Sequence, residues 1–80
     1  MKLTFYGKAG CHLCEEAYSE VRRVQDEDWF ELEVLDVSLD AGLNREYGAR
    51  VPVLAVDGRE VLELGFDAGS VRSALGRVGP

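Results

Sequence analysis

Two cysteines stand at the junction between a short apolar segment and a helical one, and this junction constrains the fold more than any other part of the chain. Residues 3–6 are apolar, β-branched or aromatic, residues 7–10 form a break with two glycines, and Cys11 and Cys14 follow. Helical periodicity begins after the break. A strand, a tight loop and a Cys-x-x-Cys that opens a helix place two sulfurs at a helix N-terminus, where a thiolate is stabilised and disulfide exchange can occur.

Length, composition and charge limit the classes of protein to consider. The chain has 80 residues, a formal net charge of -6, 46% hydrophobic residues and 30% charged residues, which predicts one globular domain covering residues 1–80. The acidic balance and the lack of a Lys/Arg-rich stripe argue against nucleic acid and against an anionic membrane surface. No segment has the length and apolar character of a membrane span, and no apolar stretch of a signal peptide follows Lys2. We therefore expect a cytoplasmic protein; we also expect a monomer without a bound cofactor.

The cysteine pair has a structural alternative, because a disulfide can staple a small fold. A disulfide that closes so short a loop is worth about 2 kcal/mol in the chain-entropy model, against more than about 4 kcal/mol for one that spans most of a domain. A reducing cytoplasm would also tend to open it. Redox chemistry is therefore favoured over stapling, and two inert buried cysteines are the other alternative.

The predicted elements follow the order strand, helix, strand, helix, strand, strand, helix. Alternating apolar and acidic residues indicate the second strand, and Asp57-Gly58 is typical of a two-residue hairpin turn between the last two strands. The predicted strands cover residues 2–6, 30–37, 53–56 and 60–64; the predicted helices begin at Cys11, at Ser38 or Asp40, and at Asp67, end at about Gln25, Tyr47 and Gly76, and leave residues 77–80 to fray.

The connections between these elements predict the topology. The first two strands are joined by a helix, so they should be parallel with a right-handed crossover, and the hairpin adds two antiparallel strands. In the first helix Leu13, Ala17, Val21 and Val24 are spaced by four, four and three residues, which predicts one buried face. The expected fold is α/β, of order β-α-β-α-β-β-α, with a mixed four-stranded sheet flanked by helices.

Cys11 is the expected nucleophile. At the N-cap or in the first turn of the helix, free backbone N–H groups and the helix dipole favour a thiolate, and such positions lower a thiol pKa from about 8.5 into the range of roughly 3.5–7.5. Cys11 would attack a disulfide sulfur, and the more buried Cys14 would resolve the mixed disulfide. Lys8, Arg50 and a protonated His12 would favour the thiolate, whereas the two glutamates after Cys14 would oppose it.

Three segments of the chain resemble a known family. They are residues 5–14 (FYGKAGCHLC), residues 47–54 (YGARVPVL) and residues 64–67 (LGFD). Together they are similar to the small glutaredoxin-like proteins of the thioredoxin superfamily, and the resemblance covers nearly the whole chain. It implies a thioredoxin/glutaredoxin-like fold and a thiol–disulfide oxidoreductase, whose partner is a disulfide-containing protein or a glutathione mixed disulfide and whose candidate co-substrate is glutathione.

The resemblance also implies roles for residues outside the cysteine pair. Pro52 would follow a cis peptide bond and face the redox motif. The backbone of Val51 would pair with the cysteinyl part of glutathione or of another substrate, as an added strand does. Lys8 and the helix start at Phe66 and Asp67 would hold the carboxylates and the amino group of glutathione.

The chain departs from the glutaredoxin pattern at several positions. Arg50 stands where threonine is usual, and Leu64 replaces the first glycine of a Gly-Gly pair. The hairpin between residues 52 and 65 is slightly longer than usual, and His12-Leu13 replaces a common Pro-Tyr between the cysteines. These differences bear on glutathione binding more than on the dithiol chemistry.

Several candidate residues also have a purely structural interpretation. Tyr6, Trp29 and Phe66 are candidates for an aromatic core, and Tyr6 is the one best placed to line a redox cleft. Asp67 is first of all a helix cap. Arg50 could steer anionic substrates or pair with an acidic neighbour. The sequence leaves these alternatives open.

Two other functions compete with the oxidoreductase. Cys11, His12 and Cys14 offer three metal ligands, but a structural zinc site requires four, and an iron–sulfur cluster would need a dimer or outside thiols. The other alternative is a thioredoxin-fold interaction module whose cysteines do not turn over. Reductase activity distinguishes this module from the enzyme.

Overall fold

The computed structural model describes residues 1–78, and its elements follow the predicted order. The strands are β1 (Lys2–Gly7), β2 (Glu31–Asp36), β3 (Val53–Val56) and β4 (Arg59–Glu63), and the helices are α1 (His12–Glu27), α2 (Ala41–Tyr47) and α3 (Ala68–Val78). The predicted bounds therefore differ from those of the structure by at most three residues, apart from one additional short element.

That additional element is a single 3₁₀ turn, Val37–Leu39, between β2 and α2. Asp36 caps it, with its carboxylate accepting hydrogen bonds from the backbone N–H of Ser38 at 2.9 Å and from the Ser38 hydroxyl at 2.6 Å. A second aspartate, Asp40, then caps α2 by accepting from the N–H of Leu43 at 2.9 Å. Of the two predicted caps for the second helix, Asp40 is the one that α2 uses.

The sheet has four strands in the order β2-β1-β3-β4. β1 pairs in parallel with β2, from Lys2 opposite Glu31 to Gly7 opposite Asp36. β3 is antiparallel to both β1 and β4, and all four of its residues are buried. The predicted mixed four-stranded sheet is confirmed, with the β3–β4 hairpin added to a parallel β-α-β unit.

Helices cover both faces of this sheet. Neighbouring residues of a strand point to opposite faces, and the neighbours Phe5 and Tyr6 of β1 contact different helices. The Phe5 ring packs edge to face on Tyr18 of α1, with 5.7 Å between the ring centres. The Tyr6 ring stacks on Tyr47 of α2, with 4.0 Å between the ring centres. α1 therefore lies on one face and α2 on the other.

The buried face of α1 is predicted correctly except at its first position. Ala17, Val21 and Val24 are buried as expected, but Leu13 is 52% exposed. Cys14 takes the place of Leu13 in the core and is only 5% exposed. The prediction for Leu13 is wrong because α1 is oriented by its contact through Cys14, one residue further along the helix.

Trp29 is a second wrong prediction, because this expected core residue is 78% exposed. It lies in the short link between α1 and β2, and the next residue, Phe30, fills the core at 3% exposure. The buried side chain of Gln25 donates from Nε2 to the carbonyl oxygen of Phe30 at 2.8 Å. This bond fixes the link with Phe30 directed inwards.

α3 packs beside α1 and ends later than predicted. Val71 is fully buried, and Arg72 makes two hydrogen bonds to the Glu27 carboxylate of α1, at 2.9 and 2.6 Å. The predicted stop at Gly76 is wrong, because the helix continues to Val78. The expected fraying concerns residues 77–80, of which the last two lie outside the described range. None of the helices in the described range has the length and apolar character needed to cross a membrane.

Candidate active site

The two cysteines lie at the N-terminus of α1, as the sequence predicts. Cys11 is the N-cap residue with an extended backbone, and the N–H of Cys14 donates to the Sγ of Cys11 at 3.2 Å. The Cα atoms are 5.2 Å apart, and the two sulfurs are close enough to form a disulfide. The helix therefore presents a backbone donor directly to the Cys11 sulfur.

The two sulfurs differ in their access to solvent. Cys14 is 5% exposed, whereas Cys11 is only partly buried at the edge of the core. Gly7, at the end of β1, lies against Cys14 and makes room for Phe5: a Cβ atom at this glycine would be in ordinary contact with the Cys14 Sγ at 3.6 Å but only 2.9 Å from the Phe5 ring. Cys11 is thus the sulfur that a substrate can approach, and Cys14 lies behind it against the sheet.

His12 and Lys8, which the sequence offers as positive charges for the Cys11 thiolate, have other neighbours in the structure. The His12 side chain is 83% exposed and lies 3.9 Å from the carboxylates of Glu15 and Glu16. Lys8 donates from Nζ to the carbonyl oxygen of Gly48 at 3.3 Å. Lys8 therefore bridges the loop before the cysteines and the end of α2, while His12 points into solvent with two carboxylates beside it.

The loop before β3 carries Val51 and Pro52, which the family resemblance assigns to the site. Val51 and Pro52 are buried, and the peptide bond between them is cis. Within residues 1–78 neither the N–H nor the C=O of Val51 takes part in a backbone hydrogen bond of the chain itself. The backbone of Val51 therefore has no backbone partner among the described residues.

A single residue ties this loop to the start of α3. The N–H of Leu64 donates both to the carbonyl oxygen of Arg50 at 3.1 Å and to that of Pro52 at 2.9 Å. Leu64 has a φ of +67°, a conformation that favours glycine, at the position where the resembling family usually has one. The fold keeps this backbone conformation although the side chain is leucine.

Arg50 pairs with acidic neighbours, as one of its two predicted roles requires. Its guanidinium lies 2.6 Å from the Glu60 carboxylate and 3.7 Å from those of Glu46 and Glu63. The hydrogen bond that Arg50 donates to the Glu60 carboxylate raises the pKa of Arg50 above its usual range. The positive charge of Arg50 is thus already balanced within the chain.

Tyr6 lies beside this ion-pair cluster, stacked on Tyr47. The two rings are 4.0 Å apart and nearly parallel, at 18°, and the Arg50 guanidinium lies 5.3 Å from the Tyr47 ring centre. Burial and then the neighbouring Tyr47 raise the pKa of Tyr6 to about 12. Tyr47 is missed as a site residue, although its position three residues before Arg50 at the end of a helix is the signal that could have found it.

Phe66 and Asp67 lie at the start of α3, where their first role is structural. The Phe66 ring contacts Phe5 at 6.2 Å. The Asp67 carboxylate accepts from the N–H of Ser70 at 2.8 Å, and this hydrogen bond lowers the pKa of Asp67. Asp67 is therefore the cap of α3, as the sequence predicts.

A cleft of about 230 Å³ joins this helix start to the redox motif. Leu13, between the two cysteines, lines it together with Phe66 and Asp67, and α1 contributes Glu16 and Glu20. The structure thus brings the predicted residues at the start of α3 to the same side as the cysteines. Within residues 1–78 no group of three or more His, Cys, Asp or Glu side chains is arranged to hold a metal ion.

Comparison with known proteins places this arrangement in a family. Residues 2–76 match the Glutaredoxin-like domain family (DUF836). The chain belongs to this family. The match begins in β1 and ends within α3, so the family assignment covers the cysteine pair, the loop at Pro52 and the start of α3.

Other proteins are similar to this glutaredoxin-like chain over most of its length. An uncharacterized protein of Mycobacterium tuberculosis is 31% identical over 75 residues, which are 88% of this chain and 77% of that protein. The crystal structure of a structural genomics target protein from X. campestris is 36% identical, with a TM-score of 0.81 over 96% of this chain and 99% of that one. Reduced glutaredoxin of Escherichia coli has the same fold, with a TM-score of 0.61 at 19% identity over 98% and 96% of the two chains.

Proposed function

We propose that this glutaredoxin-like chain is a thiol–disulfide oxidoreductase that uses the Cys11–Cys14 dithiol to reduce protein disulfides or glutathione mixed disulfides. The observation that carries the proposal is the geometry at the start of α1. The accessible Cys11 sulfur accepts the N–H of Cys14 at 3.2 Å, and the second sulfur stands behind it. A backbone donor and a helix N-terminus both favour the thiolate form of Cys11.

The proposed reaction begins at Cys11. The Cys11 thiolate attacks one sulfur of a substrate disulfide; a bond forms between these two sulfurs, the substrate S–S bond breaks, and the leaving thiolate takes up a proton from water. Cys14 then loses its proton and attacks the Cys11 sulfur of the mixed disulfide. The Cys11–Cys14 bond forms, and the second substrate thiolate leaves and is protonated.

These steps transfer two electrons from the cysteine pair to the substrate, so a reductant must return them. An external thiol supplies them: two glutathione molecules, or one protein dithiol, are oxidised to a disulfide while Cys11 and Cys14 become thiols again. Glutathione enters the proposal as a co-substrate and not as a bound cofactor. A monomeric state and a cytoplasmic location stay predictions from the sequence.

The loop at Pro52 supports binding of an extended substrate segment. The free N–H and C=O of Val51 can pair with the backbone of a bound cysteine residue, as in the addition of a strand. Tyr6 and Lys8 lie on the same side as this loop, through their contacts with α2. We therefore assign these residues to substrate binding and the two cysteines to the chemistry.

A reductase assay on the wild type and on the Cys11→Ser and Cys14→Ser variants tests the proposal. A glutathionylated peptide and, separately, a protein disulfide serve as substrates, and circular dichroism checks that each variant is folded. Cys11→Ser should abolish activity on both substrates. Loss with Cys14→Ser as well indicates the dithiol route, whereas activity that survives Cys14→Ser indicates a monothiol route that uses glutathione.

The alternative of an interaction module makes the opposite prediction for the wild type. A folded wild-type protein that reduces neither substrate, at any concentration of reductant tested, would overturn the oxidoreductase. The cysteine variants would then bind partners as the wild type does.

A further inference from the structure

The start of α3 is already occupied by two carboxylates of the chain. The N–H groups in the first turn of a helix attract anions. Here the Ser70 N–H donates to Asp67 at 2.8 Å, and the Ala68 N–H donates to the Glu20 carboxylate at 3.4 Å. Glu20 reaches α3 from α1, across the cleft beside the cysteines. An anionic ligand entering this cleft meets two negative charges where the helix alone would offer donors.

The positive charge of Arg50, the second feature near the site that could attract an anion, is also neutralised by carboxylates of the chain. Arg50 stands next to Val51, but its guanidinium is held by Glu60 at 2.6 Å, with Glu46 and Glu63 at 3.7 Å. Release of Arg50 toward a ligand carboxylate would leave these glutamates without their cation. Lys8 donates to a neutral carbonyl oxygen and makes no ion pair with the carboxylates of the described residues.

We propose that Glu20 is a specificity-determining residue, which selects against glutathione and directs the site toward disulfides of polypeptides. This inference rests on the proposed function and narrows it. Glutathione carries two carboxylates and one ammonium group, and its carboxylates require positive partners beside Cys11. The disulfide of an extended polypeptide can be held through the backbone of Val51 alone. Asp67 can pair with the ammonium group of glutathione, but Glu20 takes the Ala68 N–H that would otherwise attract a carboxylate, and the charge of Glu20 repels that carboxylate.

The test compares two disulfides of one cysteine peptide, one formed with glutathione and one with uncharged 2-mercaptoethanol. Dithiothreitol is the reductant, and it ends as its cyclic disulfide while each peptide is released as a thiol. The measured quantity is the ratio of the kcat/KM values, glutathione adduct over mercaptoethanol adduct. We expect this ratio to be below one for the wild type.

Glu20→Gln keeps an oxygen for the Ala68 N–H and removes the charge. It should raise the ratio by about three- to tenfold, the size of one partly screened interaction between like charges. Glu31→Gln, at the far end of the sheet from the cysteines, makes the same change in net charge and should leave the ratio unchanged. Raising the salt from about 0.1 M to about 1 M shortens the Debye length from about 10 Å to about 3 Å, so it should reduce the effect of Glu20→Gln.

A binding measurement separates failure of this inference from failure of the proposed function. In the Cys14→Ser variant, the exchange equilibrium between the glutathione and mercaptoethanol adducts of Cys11 reports the preference without turnover, and Glu20→Gln should shift it toward glutathione. If neither peptide is reduced, the proposed oxidoreductase is overturned, but the exchange equilibrium can still be measured. A wild-type preference for the glutathione adduct, or a ratio that Glu20→Gln does not change, would overturn the role of Glu20.

Discussion

The backbone N–H of Cys14 points at the Sγ of Cys11 from 3.2 Å away. The two sulfurs are within disulfide distance in this structure, and the same amide can stabilise the Cys11 thiolate once the bond is reduced. The first turn of α1 thus supplies the donor.

The reduced protein should therefore react at Cys11 at a lower pH than an ordinary thiol. The rate of alkylation by iodoacetamide should have its midpoint below about 8.5, the usual thiol pKa. In a Cys11→Ser variant the remaining Cys14, only 5% exposed, should react much more slowly. A Cys11 midpoint at or above 8.5 would contradict stabilisation by the helix N-terminus.

Gly7 should resist substitution because of its contact with Phe5. A Cβ at this position would lie 2.9 Å from the Phe5 ring, so Gly7→Ala should lower the free energy of unfolding by about 1–3 kcal/mol, as overpacking does. Gly76→Ala is the matched control: nothing lies within 4 Å of its Cβ position in α3, and it should stabilise by about 0.5–1 kcal/mol. Urea denaturation measures both, and equal effects would mean that Phe5 moves aside without cost.

Arg50 should contribute to stability through its three carboxylate neighbours and the Tyr47 ring. Arg50→Ala should lower the free energy of unfolding, because it removes a partly exposed ion pair and a cation–π contact. Arg45→Ala removes the same charge from α2 and serves as the control in the same denaturant titration. If the two variants lose equal stability, the contacts of Arg50 add nothing beyond its charge.

Tyr6 should make stability fall at alkaline pH. Its pKa is about 12 in the folded protein and about 10 in an unfolded chain, so the folded state holds the proton more tightly. The contribution of Tyr6 is therefore complete below pH 10 and is lost as the pH rises toward 12. Measured from about pH 9 to about pH 11, the free energy of unfolding should fall less steeply in Tyr6→Phe than in the wild type, and an equal slope in the two proteins would contradict the raised pKa of Tyr6.

The fold could be predicted because its main signals are local. The strand before Cys11, the turn at Asp57-Gly58 and the caps Asp40 and Asp67 each depend on a few adjacent residues. Together they determine the order of the elements and leave few ways to connect them. The family resemblance carries the same information for the cysteine pair and for the loop at Pro52.

The errors occur where a side chain's direction depends on distant parts of the chain. Leu13 and Cys14 are neighbours on a helix, and only the sheet beneath Cys14 decides which of them is buried. Val34 lies opposite the buried Phe5, yet it is 51% exposed because β2 is an edge strand and the cleft beside α1 leaves it open. A local sequence pattern cannot show whether another element of the fold covers a side chain.

The contacts between charged residues at the site could not be predicted for the same reason. The sequence leaves open whether Arg50 steers anions or pairs with acids, because Glu60 and Glu63 come next to it only when the hairpin folds back. Glu20 is on a surface face of α1 by its spacing, and its bond to Ala68 joins residues 48 positions apart. Such contacts follow from the topology and could not be read from spacing.

The N–H of Leu64, which donates to two carbonyl oxygens, holds together the loop at Val51 and the loop that leads into α3. Since it bonds to the carbonyls on either side of Val51, the loop proposed to bind a substrate backbone keeps a fixed position relative to the start of α3. A change in the length of the β3–β4 hairpin would therefore alter the spacing of these two loops and leave the distance between the two cysteines as it is.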